Sequence, residues 1–250
     1  MKYIRFTFAI IFLGLLVQFS AAQDASDIVK KANELIRAKS SKAELSMEVI
    51  KPDWSRKMSM KIWALEPDYT IILITKPAKD KGMVTLKRET EVWNWMPSVR
   101  RVIKIPPSMM MQAWMSSDFT NDDLVRQSSI VEDYTHKIIG SEEINGYDCY
   151  KIHFTPKPEA GVVWGKIISW ITKKGTMELR ADYYDEDEYI VKSMLGSKVK
   201  KMGGRTIPTY WEMVPNDKPG QKTVMEYHSV EFNVKLKKSF FSQQNMKRIR

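Results

Sequence analysis

Cysteine is almost absent from this sequence. Cys149 stands alone among 250 residues, so no internal disulfide can brace the chain, and its strand-like surroundings mark it as a small buried side chain. Histidine is nearly as scarce. His136, His153 and His228 fall in separate strand-like stretches without metal-ligand spacing, which excludes a His-based zinc site. Also lacking are a G-x-S-x-G elbow, a P-loop and a G-x-G-x-x-G turn. Asp118, Asp122 and Asp123 lack the spacing and the glycine of an EF-hand loop. With no nucleophile, metal or paired-carboxylate constellation, no catalytic residue, no enzymatic activity and no cofactor are expected. No linker, repeat or low-complexity stretch divides the chain, so residues 23–250 read as a single domain.

What is present begins with a leader. Met1 to Ala22 has a basic start (Lys2, Arg5), an apolar core from Phe6 to Val17, and small residues Ser20-Ala21-Ala22 before Gln23. This is the pattern of a cleaved secretory signal peptide, too short to span a bilayer comfortably. No Cys follows the expected cut, so the chain is not itself expected to be a lipoprotein. The net charge is +10, of which Lys2 and Arg5 leave with the leader. On an exported protein such a balance favours anionic head groups or an acidic partner surface over nucleic acid.

Asp24 to Lys39 predicts the one long helix. Ile28, Val29, Ala32, Leu35 and Ile36 share a face, and Ser26 or Asp24 can cap its start. The period then switches to two. Leu45, Met47 and Val49 alternate with polar residues, as do Met58, Met60, Ile62 and Ala64, while Tyr69 to Thr75 is a continuous apolar run suited to a strand covered on both faces. Met83–Arg88, Val92–Met96 and Val99–Ile105 follow at hairpin spacing. Asn145-Gly146 marks a tight hairpin between 133–141 and 147–155. Further strands are predicted at 166–172, 177–184, 189–195, 209–214 and 223–232. The acidic run Asp182 to Glu188 reads as a solvated hairpin tip, and Lys198 to Lys201 as a basic loop or strand end. About a dozen antiparallel strands with one helix imply a large curved sheet, one face of which must be covered.

The stretch Glu91 to Leu124, EVWNWMPSVRRVIKIPPSMMMQAWMSSDFTNDDL, organises the rest. Pro106-Pro107 ends a strand, because proline cannot donate to the ladder. A methionine-rich apolar flap, Met109 to Met115, follows and closes in a polar cluster. Sixteen Met and eight Trp favour an adaptable apolar cavity over a solid core. Arg101 shares a strand face with Val99, Ile103 and Ile105. A guanidinium there needs an anionic partner or an escape to water, so it is a candidate head-group contact, with a snorkelling side chain or an internal ion pair as the plainer alternative. Thr120 with Asp123 three residues on reads as a helix cap with an acidic first turn.

The order of these parts carries a resemblance. The W-x-W-x-P turn (Trp93, Trp95, Pro97), the basic strand, the apolar flap and the octet Ser117-Asp118-Phe119-Thr120-Asn121-Asp122-Asp123-Leu124 are similar to the outer-membrane lipoprotein-sorting protein family, related to the periplasmic carrier LolA. Asn145 to Tyr150, Ile207-Pro208-Thr209, Phe240-Phe241 and Met246-Lys247-Arg248 extend the match over most of the chain. Ser116 departs from the family pattern, which has Gly before the SDF, and implies a stiffer hinge.

The resemblance implies a mainly β (α+β) fold: an open, half-closed β-barrel with an N-terminal helix and a short helical flap as a lid over an apolar cavity. It implies a monomeric periplasmic carrier of acylated lipoproteins or lipids that works between an inner-membrane transporter and an outer-membrane acceptor. On this expectation Met60, Ile62, Trp93, Trp95, Ile103, Met110, Met111, Trp114 and Met115 line the cavity and flap, Arg101 meets the head group, and Ser117, Asp118, Phe119, Asp122, Asp123 and Leu124 form the family motif. The alternative is an interaction or sensor module of the same fold, for example a periplasmic accessory to an RND-type exporter.

Overall fold

Residues 24–126 and 129–250 are described by the computed structural model of the chain. The leader expected over Met1 to Ala22 lies outside the described residues. The helix α1 spans Ala25–Arg37, with the Asp24 carboxylate accepting the Ser26 N–H at 3.0 Å as its cap. Ile28, Val29 and Ala32 bury one face. At its far end Ala38 turns left-handed (φ 52°). The Arg205 guanidinium donates to the carbonyls of Glu34 and Leu35 at 2.5 and 2.8 Å. A cation there satisfies carbonyls that the helix leaves unpaired.

Thirteen strands follow: β1 (Ser40–Ile50), β2 (Ser55–Leu65), β3 (Tyr69–Lys76), β4 (Val84–Arg88), β5 (Glu91–Met96), β6 (Arg101–Lys104), β7 (Tyr134–Ile144), β8 (Tyr147–Pro156), β9 (Lys166–Thr172), β10 (Glu178–Tyr184), β11 (Ile190–Met202), β12 (Arg205–Pro215) and β13 (Lys222–Phe232). They form one antiparallel sheet in the order β6-β5-β4-β3-β2-β1-β13-β12-β11-β10-β9-β8-β7. The sheet is an open half-barrel with β6 and β7 as its two edges. Bulges at Glu44/Leu45, Ser59/Met60, Ile138/Gly140 and Glu178/Arg180 add the local bends that curve it. Asn145 and Gly146 both have positive φ (52° and 81°), the geometry a two-residue hairpin turn requires.

This topology dictates where the flap goes. The chain leaves β6 at one edge and must enter β7 at the other, and residues 105–126 and 129–133 lie along the way across the sheet. They cross its inner face. Trp114 packs there among Leu45, Met47, Met58, Met60, Ile72 and Ile74. The opposite, outer face of β3–β5 carries Ile71, Leu73, Val84, Leu86 and Trp93, and the C-terminal segment covers it with Phe241 and Met246. Two coverings explain the unbroken apolar run of β3: Ile72 and Ile74 meet the flap side, Ile71 and Leu73 the tail. On the other half of the sheet α1 covers the inner face, packing on Tyr134, Ile152, Phe154, Ile167 and Ile171.

Two local expectations change. Asp182 is buried inside β10, held by Arg180 at 2.7 and 2.9 Å and by the Ser193 hydroxyl at 2.7 Å, so the solvated tip begins only after Tyr184. Lys198 to Lys201 lie within β11, which runs on to Met202. Their alternation with half-buried Val199 fits a long exposed hairpin.

Candidate functional site

Beneath α1 the inner face is not filled. A cavity of about 200 Å³ lies between the helix and strands β7–β13. Val29, Ala32 and Ile36 line it from the helix, Phe154, Ile167 and Ile171 from β8 and β9, and Trp211, Met213 and Met225 from β12 and β13. Gly196 lets Trp211 lie flat: the two are paired across β11 and β12, and a Cβ on Gly196 would sit 3.0 Å from the indole ring. The walls are mostly hydrocarbon. The volume is below the roughly 300–1,000 Å³ of typical ligand pockets, so a long chain needs further room.

Polar groups interrupt this surface at a few places. Glu178 reaches the cavity from β10 and accepts a hydrogen bond from the Ser169 hydroxyl at 2.6 Å. Burial pushes its carboxyl up from the ordinary value, while the Ser169 bond and the Arg37 charge pull the other way. Tyr183 and Tyr227 also line the cavity, and burial raises both phenols, Tyr183 well above the ordinary value with Glu178 adding to the shift. Arg37, in the last turn of α1, stands at the rim with its guanidinium 3.4 Å from Glu66. On the opposite rim Lys192 pairs with Asp123 at 2.7 Å and lies over the rings of Trp164 and Tyr183.

The flap occupies the inner face beside this cavity. Pro107–Met109 and Trp114–Ser116 form single 3₁₀ turns, which are its helical content. Met115 and Ser116 both adopt left-handed φ (52° and 62°), and the reversal drives Trp114 down onto the sheet. Its backbone N–H donates to the Phe119 carbonyl at 2.7 Å, and its indole Nε1 donates to Thr85 at 3.1 Å. Asp118 fixes the loop to the sheet. It accepts from Thr223 at 2.7 Å and from Lys51 at 3.3 Å, with Gln221 on the same carboxylate. Thr120 and Asp123 cap α2 (Asn121–Arg126) reciprocally, Thr120 N–H to Asp123 at 2.7 Å and Asp123 N–H to Thr120 at 3.0 Å, as their spacing predicts.

The structure brings together only part of the predicted lining. Met60, Ile62, Trp114 and Met115 share one inner-face cluster, which Leu124 also joins. That cluster abuts the cavity through Met225 and Tyr227, which belong to both. Trp93 and Trp95 do not join it. In β5 Asn94 turns inward opposite Thr85, so the two indoles point outward and pack with the C-terminal segment. Ile103 pairs with Asn94 on the inner side of edge strand β6 but is exposed, as is Met111; Met110 is half-buried. Arg101 is exposed opposite Met96, does not line the cavity and makes no ion pair among the described residues. Of the motif, Ser117, Phe119 and Asp122 are buried, and Phe119, Asp122 and Asp123 line the cavity. Sequence patterning missed Arg37, Glu178, Tyr183, Trp211 and Tyr227. Regular alternation from the inward Ala181 and Tyr183 would turn Glu178 outward, and the bulge at Glu178/Arg180 brings it inward opposite Ile171.

Comparisons with known proteins agree with this architecture. A family model described as "Uncharacterized protein" matches residues 66–248. No curated protein matches the sequence. Among solved structures, a DUF1329 family protein from Desulfovibrio piger superposes with a TM-score of 0.79 at 23% identity, covering 89% of this chain and 97% of that one. A putative outer membrane lipoprotein-sorting protein domain from Vibrio parahaemolyticus gives 0.77 at 20% identity, covering 90% and 98%. A LolA superfamily protein from Nitrosomonas europaea gives 0.74 at 22% identity, covering 89% and 99%.

Proposed function

Because the chain belongs to the family whose model spans residues 66–248 and shares the fold of the LolA superfamily, we propose that it is an exported, periplasmic carrier of acyl chains. In this reading it takes an acylated lipoprotein or lipid from an inner-membrane transporter, shields the chains in its inner-face cavity, and delivers them to an outer-membrane acceptor as a monomer. One observation carries the reading: an apolar cavity under α1 that abuts a plug, Trp114, seated on the same face.

The energetics suit a reversible carrier. Each methylene moved from water into the cavity contributes about 0.8 kcal/mol. Without ligand the Trp114 plug buries its own apolar surface, so the empty protein stays closed. A ligand first enters under α1 and then displaces the plug, extending the cavity over Met60 and Ile62. Met110, Met111 and Met115 then serve as an adaptable lid, and Ile103 and Arg101 lie at the outer rim on β6, where Arg101 is free to meet a head group. Trp93 and Trp95 brace the flap half of the sheet from behind.

The test is to purify the exported protein under native conditions, extract it with organic solvent and identify acylated species by mass spectrometry. Near-stoichiometric lipid or lipoprotein is expected. Protein that arrives empty and takes up no lipid from vesicles would refute the carrier reading. Co-purification of an exporter subunit with that empty protein would favour the interaction module instead.

A further inference from the structure

The cavity wall carries more hydrogen-bonding chemistry than an acyl chain needs. Glu178 is half-buried, lines the cavity, and has one hydrogen-bond partner among the described residues, the Ser169 hydroxyl on one carboxyl oxygen. Its second oxygen is left without one. Tyr183, further along the same strand, is also cavity-lining, and its hydroxyl takes no hydrogen bond among the described residues. The two groups feel each other's charge. Buried polar groups are normally satisfied, because leaving one bare in an apolar surrounding is costly. Glu178 and Tyr183 are half-buried and border the cavity, so a ligand that fills it covers them and must supply the missing partner.

Their chemistry says which. A hydrocarbon offers nothing to either group. A carboxylate fares worse: an ionised Glu178 repels it, and a neutral one leaves its charge buried without compensation. Arg37 is the nearby cation, but it already faces Glu66 at the rim. Lys192 is committed to Asp123. The Tyr183 phenol is a donor, as is the Glu178 carboxyl whenever it holds its proton, and such donors match an uncharged acceptor.

We propose that the cavity selects ligands whose buried end carries a neutral acyl ester or amide, its carbonyl held by Glu178 and Tyr183, and that it discriminates against a free fatty carboxylate of the same chain length. Such linkages join acyl chains to glycerol or to an amino terminus, so the inference deepens the carrier reading and rests on it.

The test is displacement of an uncharged fluorescent probe, N-phenyl-1-naphthylamine, from the mature protein by monoolein and by oleate, at a pH where oleate is ionised and below micelle formation. Monoolein should displace the probe at a concentration lower by roughly tenfold or more, the scale set by one buried unpaired polar group. Glu178→Gln keeps a donor and should keep the preference. Glu178→Leu should abolish it, and Tyr183→Phe, which keeps the ring and does not depend on the first variant folding, should reduce it. Equal displacement by the two lipids in the wild type, or a preference unchanged in the variants, overturns this inference while leaving the carrier reading intact. Displacement by neither lipid overturns the carrier reading, and this inference with it.

Discussion

The indole Nε1 of Trp114 donates to the Thr85 hydroxyl at 3.1 Å, and Thr85 in turn donates to Asn94 at 2.8 Å. The tip of the plug is thus hydrogen-bonded to β4 and, through Thr85, linked to Asn94 on the neighbouring β5. Thr85→Val would keep the shape and remove the acceptor, leaving a buried indole N–H bare at a cost of about 1–3 kcal/mol to the closed state. The expected outcome is faster hydrogen exchange at the Trp114 and Asn121 amides, which bond within the flap at 2.7 and 3.0 Å. Unchanged exchange would show that this bond does not hold the plug.

Asp118 ties the same segment down from its other end. Its side chain is 4% exposed and gathers Lys51, Gln221 and Thr223. Removing one partner of a largely buried, hydrogen-bonded charge typically costs about 3–5 kcal/mol. Asp118→Ala should therefore release the loop, seen as protease cleavage between Met109 and Phe119 in a protein whose circular dichroism is otherwise preserved. Lys51→Met should do much less, because Thr223 and Gln221 still satisfy the carboxylate. Equal sensitivity in the two variants would place the latch in the ion pair alone.

How much of this was legible beforehand depends on what each residue's position rests on. Helix α1, the strands of the meander, the Asn145-Gly146 turn and the Thr120–Asp123 cap follow from local period and turn chemistry. They stand where the sequence puts them. The family motif was legible as a motif, but its use as a latch between Asp118 and Thr223 needs two segments brought together by topology. Trp93 and Trp95 show the limit. Period two says that they share a face, but not which face, and only the covering by Phe241 and Met246 decides that they point outward. Glu178 was out of reach because a bulge shifts its register.

Ser116 holds a left-handed φ of 62°, a conformation that glycine adopts without steric cost. A left-handed backbone costs a side-chain-bearing residue about 1–2 kcal/mol, but Gly gives back part of that through the freedom of the unfolded chain. Ser116→Gly should change global stability by less than about 1 kcal/mol while raising flap opening. Ser116→Val, β-branched in the same conformation, should lower the melting temperature. A stabilised Val variant would mean the turn relaxes to another geometry.

Glu178 gives the protein a specific dependence on pH. Burial holds its carboxyl above the ordinary value in the folded chain, and unfolding returns it to that value. Below the ordinary value both states are protonated, and the buried acid carries no ionisation cost. As pH rises through the window between the two values, the unfolded chain ionises freely and the folded one does not, so stability is lost; above the folded value the loss is complete and levels off. His136 and His153, both lowered by burial, work in the opposite sense, gaining stability as pH rises through the ordinary histidine range. A comparison with Glu178→Gln removes the histidine contributions, because both proteins share them. The measurement is urea unfolding of wild type and variant across the acid-to-neutral range. The wild type should lose stability relative to Glu178→Gln over that window and then run parallel to it. Curves that stay parallel throughout would show that Glu178 ionises as freely folded as unfolded, and the cavity would then be wet enough to solvate a charge.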